Sequence, residues 1–210
     1  MKNRICLCIV FLMSLAGLYA QTSASKQDAL VLYHNGKYRE AVQVCEEELL
    51  QTPNRVESYV VMCWALVKNK QYAEAEERAS EGLEVSPYDL RLIEVLGEAK
   101  YYLGKNTGAM AQFQKYVASA PESGSRVGVA YYYMGEIYIR KAMFHHADIA
   151  LTVAVRFSPR NDNWLVRLGY AREMAKNYRE SALAYTQALE INPTHQDAIR
   201  GQERISKYIY

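Results

Sequence analysis

Pro53, Pro87, Pro121, Pro159 and Pro193 divide the chain at intervals of 34, 34, 38 and 34 residues. Self-similarity at a fixed period of this size is the mark of a repeat architecture, and it constrains the fold more than any composition does. Proline suits the boundary of a helical unit, because it has no backbone N–H to donate and disfavours helix in the residue before it. Aligned on the prolines, residues 22–55, 56–89, 90–123, 128–161 and 162–195 form five blocks in register, with four residues left over between the third and fourth.

Within the blocks, apolar and small residues recur at helical spacing. The fourth reads Tyr131, Met134, Gly135, Tyr138, Ala147, Leu151, Ala154, Pro159, and the second Tyr59, Met62, Cys63, Leu66, Ala75, Ala79, Gly82, Pro87. The third (Ile93, Leu96, Gly97, Ala109, Phe113, Pro121) departs at Lys100 and Tyr116, and the fifth (Leu165, Leu168, Gly169, Tyr185, Ala188, Pro193) departs at Arg172 and Ser181. In the first block only the second half matches well, through Gly36, Tyr38, Ala41, Leu49 and Pro53. Such spacing gives two amphipathic helices per block, with a small residue such as Gly97 letting the second helix approach through Ala109.

Five such motifs in phase resemble the tetratricopeptide repeat family across residues 21–210. The resemblance implies an all-α fold, a right-handed α-solenoid of about five helix pairs. A helix pair cannot bury both of its faces alone, so the last needs a cover. Residues 196–210 are expected to supply a capping helix, with Ile199, Ile205 and Ile209 inward and Arg200, Glu203, Arg204 and Lys207 toward water. The segment 122–127, ESGSRV, is the one internal loosening of the pattern.

The leader argues for export. Lys2 and Arg4 precede an uncharged run from Ile5 to Leu18, followed by Tyr19 and Ala20, the pattern of a signal peptide over residues 1–20. The expected cut follows Ala20, with a cut after Ala24 as the alternative. Fourteen residues are too few to span a bilayer, and no second apolar stretch follows, so the mature chain is expected to lack a transmembrane segment and to work in the periplasm or peripherally on the envelope. Cys6 and Cys8 lie at the start of the apolar run, where they do not make a lipid-attachment site. Removing the leader takes Lys and Arg from 25 to 23 against 23 acidic residues, a net charge of zero that does not suit nucleic acid.

The family resemblance places a ligand in the concave groove lined by the first helices, through the second, fifth, ninth, twelfth and thirteenth positions of each block. Of the residues at these positions, Tyr33, Val60, Trp64, Arg91, Tyr101, Tyr132, Glu136, Arg140 and Tyr170 are the candidate contacts. Trp64, Tyr101, Tyr132 and Tyr170 would form an aromatic strip, and rigid aromatics anchor an extended peptide or a partner helix at low entropic cost. Lys68, Glu94 and Glu98 also occupy groove positions. The lysine and asparagine clamp with which some family members hold a chaperone C-terminus is absent, since the corresponding positions carry Leu30, His34, Val60 and Trp64 beside Lys26 and Lys68. The expected function is therefore that of a protein-interaction scaffold of the envelope. The alternative is self-association, because residues 21–89 carry 7 basic and 12 acidic side chains while residues 90–210 carry 16 basic and 11 acidic.

No enzyme, metal or cofactor is expected. His145 and His146 are adjacent, so on a helix they point about 100° apart and do not share a face, and the glycines near Lys105 and Arg126 lack phosphate-loop spacing. Cys45 and Cys63 fall on neighbouring helices, where a disulfide is conceivable, but both occupy packing positions at which a free cysteine serves as a small hydrophobe.

Overall fold

A computed structural model describes residues 28–121, 123–124 and 126–209. The expected leader and its cleavage site lie outside the described residues, as does Lys26. Among the described residues there are eleven α-helices: α1 (Ala29–His34), α2 (Tyr38–Gln51), α3 (Val56–Lys68), α4 (Tyr72–Val85), α5 (Leu90–Tyr102), α6 (Asn106–Ser119), α7 (Val127–Arg140), α8 (Phe144–Phe157), α9 (Asp162–Met174), α10 (Tyr178–Ile191) and α11 (Gln196–Ile205). Each helix packs on the next, and the first helices of successive pairs also touch, which makes a solenoid. No helix among the described residues is long and apolar enough to cross a membrane.

The repeat period reappears in the backbone. Each proline stands two residues after the last residue of a second helix, at Gln51, Val85, Ser119, Phe157 and Ile191. Within each pair a three-residue turn joins the helices, and its middle residue is left-handed: Gly36 at φ 75°, Lys70 at 62°, Gly104 at 72°, Ala142 at 54° and Lys176 at 65°. That conformation closes a helix C-terminus, and the following N–H bonds back to the last turn, as Lys37 N does to Leu32 O at 2.9 Å. Asp28, Asp89 and Asn161 cap α1, α5 and α9 by accepting backbone N–H bonds with their side chains.

Small residues set how closely the helices approach. A Cβ at Gly97 would lie 2.8 Å from the Phe113 ring, and one at Gly169 would lie 2.6 Å from the Tyr185 ring; both rings are fully buried. The two charged departures from the pattern serve the same end. Lys100 donates to Glu76 at 2.8 Å, and Arg172 donates to Asp148 at 2.8 Å. Both pairs join residues 24 apart and occupy the same places in the second-third and fourth-fifth units, so an ion pair replaces the apolar side chain that bridges neighbouring units elsewhere.

The connection from α6 to α7 covers residues 120–126, against four residues at every other junction between pairs. The expected cap is described over residues 196–209. Its α-helix ends at Ile205 and continues as a 3-10 turn over Ser206–Tyr208. Ile205 is fully buried, while Ile209 packs from the side. Arg204 is exposed, as expected, and pairs across the surface with Glu173, with Nε–Oε1 at 2.7 Å and Nη2–Oε2 at 2.8 Å.

Candidate partner-binding groove

The candidate positions do not form one exposed surface. In the second to fifth units the fifth position is the seam between neighbouring first helices: Val60 is fully buried, Glu94 and Val166 are buried, and Tyr132 is half-buried. Val60 is thus a core residue and lies beneath the groove rather than on it. At the ninth position Glu98 and Glu136 are buried and Trp64 and Tyr170 half-buried, and Tyr101 at the twelfth is buried. Lys68, Tyr102, Arg140 and Met174 at the thirteenth are exposed. The first helices sit close enough that long side chains at inner positions lie across the neighbouring helix.

The C-terminal half of the concave side is occupied by its own side chains. The Arg140 guanidinium lies 3.7 Å from the Tyr101 ring centroid and donates from Nη1 to Tyr101 O and to Asn106 Oδ1, both at 3.0 Å. Tyr132 stacks on Trp164 with centroids 5.1 Å apart. Arg167 grips Glu136 through two bonds, at 2.6 and 3.0 Å, and faces the Tyr170 ring at 5.3 Å. The aromatic strip is therefore interrupted: Tyr101, Tyr132 and Tyr170 each pack on another side chain of this half of the groove.

The N-terminal half is open. A cleft of about 440 Å³ lies between α1, α3, α5 and the start of α7, lined by Tyr33, Trp64, Lys68, Glu94, Tyr116, Arg126 and their apolar neighbours. Tyr33 and Trp64 meet with ring centroids 5.9 Å apart at one end. On the wall, Arg126 Nη2 reaches Glu94 Oε1 at 2.5 Å and Glu98 Oε2 at 2.9 Å, and the Tyr133 hydroxyl donates to Glu98 Oε1 at 2.9 Å. Arg91, a candidate contact, is held at the rim by Asp89 and by both Glu57 oxygens.

Burial pushes the Glu94 carboxyl up to about 7, and Arg126 draws it only part of the way back. The same burial, with Glu98 alongside, pushes the Tyr133 hydroxyl far above its ordinary range, so it stays a donor. Sequence reasoning missed Arg126, which no periodic signal marks because it lies in the connection that breaks the period, and it missed Tyr116, which reaches the cleft from a second helix.

Among the described residues no cluster of three or more His, Cys, Asp or Glu is arranged to hold a metal ion. His146 rests on the Tyr138 ring, and Asp148 is taken by Arg172. Cys45 and Cys63 are not bonded to each other; both are free and fully buried. Burial lifts the Cys45 thiol to about 12 and the Cys63 thiol higher still, which keeps both protonated and unreactive in the fold.

No protein-family model matches the chain, and no curated protein is similar to it. Solved structures are. YrrB, described as a TPR protein with an unusual peptide-binding site, superposes with a TM-score of 0.68 at 17% identity over 83% of this chain and 88% of its own. PilW, a type IV pilus biogenesis factor, gives 0.72 at 18% identity over 85% and 81%. PilF of Pseudomonas aeruginosa gives 0.75 at 10% identity over 86% and 80%. At these identities the likeness is one of fold, and it agrees with the phased repeat, the helix pairs and the left-handed turns: the chain is an all-helical solenoid with the tetratricopeptide-repeat fold.

Proposed function

We propose that the protein is a non-enzymatic interaction scaffold of the cell envelope that holds an extended segment of a partner protein on its concave side, in the cleft of its N-terminal half. The observation that carries this reading is the cleft itself, an opening of about 440 Å³ walled by aromatic rings and polar groups. A concave, mostly apolar site with a few converging polar groups is where a ligand gains most per contact. The likeness to YrrB, described as having a peptide-binding site, points the same way. The envelope assignment rests on the leader-like first twenty residues.

A photo-crosslinking amino acid placed at Tyr33 in the source cell should capture a partner in the envelope fraction, and Trp64→Ala should abolish the adduct. The same amino acid at Leu183, which is 63% exposed on a second helix, should give none. Equal capture at the two positions would move the site to the convex face. A chain recovered with residues 1–20 intact in the cytosol would remove the envelope.

A further inference from the structure

We infer that the N-terminal cleft takes an acidic side chain, Asp or Glu, from an extended partner segment that seats an apolar or aromatic residue beside it. The inference rests on the proposed binding role of this cleft and names the chemistry of its occupant. The argument is one of unused hydrogen-bonding capacity. Lys68 lines the cleft, is exposed, and forms no ion pair or hydrogen bond with any described residue. Arg126 spends only Nη2 on Glu94 and Glu98, so Nε and Nη1 remain for a ligand. The indole N–H of Trp64 has no acceptor among the described residues.

Against these donors there is little to accept. Both Glu98 oxygens are engaged, by Tyr133 and by Arg126. Glu94 keeps Oε2 free, but burial raises its carboxyl toward the protonated form, against the pull of Arg126 and Lys68, and in that form the oxygen can offer an O–H. The cleft therefore presents a surplus of donors, two of them cationic, and a carboxylate is the group that satisfies a lysine and a guanidinium together. The third cation lining the cleft, Arg91, is spent on Glu57 and Asp89, and farther along the groove Arg140 is spent on Tyr101 and Arg167 on Glu136. The rings of Tyr33, Trp64 and Tyr116 give an apolar neighbour its seat.

The test is a selection from random decapeptides displayed within a loop, so that no terminus is free, in parallel with a set displayed with a free C-terminus. The bait is residues 21–210 or its Lys68→Glu variant, each shown by circular dichroism to be folded. The expected result is enrichment of Asp or Glu next to an apolar residue in the loop-displayed set, with affinity at least tenfold weaker for Lys68→Glu. Enrichment of Lys or Arg, or of neutral sequences, would overturn the inference; if those peptides were lost with Trp64→Ala, the groove would remain the binding site. Binders found only in the set with a free C-terminus would replace the side chain by a terminal carboxylate. No enrichment in either set would overturn both the inference and the proposed function.

Discussion

Ala142 sits at φ 54°, in a region where its Cβ crowds the backbone, while the equivalent positions of two other units hold Gly36 and Gly104. The left-handed turn costs an L residue about 1–2 kcal/mol, and the greater freedom of an unfolded glycine offsets part of the relief. Ala142→Gly should therefore stabilise the protein by about 0.5–1 kcal/mol in urea unfolding, and Ala142→Val should destabilise it. A loss of stability with glycine would mean that the turn is held by something other than local backbone geometry. At the same scale, the buried thiols of Cys45 and Cys63 should resist a thiol reagent in native protein comprising residues 21–210, and these two thiols should react once it unfolds. Recovery of no thiol from unreduced, unfolded chains would show that the pair bonds after export.

Between elements, α3, α5 and α7 meet around charges that an isolated helix could not bury. Glu94 keeps its proton to about pH 7 in the folded protein and to an ordinary value of 4.5 when unfolded. The folded state thus holds more proton in that window, and stability falls as pH rises through it. Glu94→Gln should flatten the decline in unfolding free energy between pH 5 and 8. Glu173 behaves oppositely: burial raises its carboxyl, but Arg204 and Tyr185 outweigh burial and hold it low, so its contribution is lost only in acid. A Glu94→Gln protein with an unaltered slope over pH 5 to 8 would place the Glu94 proton elsewhere.

This is also where the sequence stopped being legible. Period, helix pairs and proline stops follow from local chemistry that every unit repeats, and they can be read without neighbours. Whether Val60 or Trp64 faces the groove depends on how closely two first helices approach, which no single unit encodes. Arg126 was hidden for a related reason. It lies in the connection that exceeds the period, so the alignment that revealed the fold carried no information about it.

Across the whole molecule, stability in a stacked array is a sum of units and their interfaces, and each unit depends chiefly on its neighbours. The capping helix α11 closes one end. Gly201 lets it lie against the Tyr185 ring, Ala198 and Ile205 are fully buried, and Arg204 ties it to Glu173 on α9. Truncation after His195 would bare one side of Tyr185 and remove the fully buried Ile205, a loss of about 3 kcal/mol by analogy with large apolar deletions in cores. The nearest-neighbour view confines that loss. Amides of α9 and α10 should exchange with solvent on the order of a hundred times faster in the truncated chain, while those of α3 and α5, three and two units away, should keep their protection. The N-terminal cleft would then still bind acidic peptides with its original affinity. Uniform loss of protection along the chain would show that the solenoid folds as one cooperative block, and that its groove cannot be treated apart from its cap.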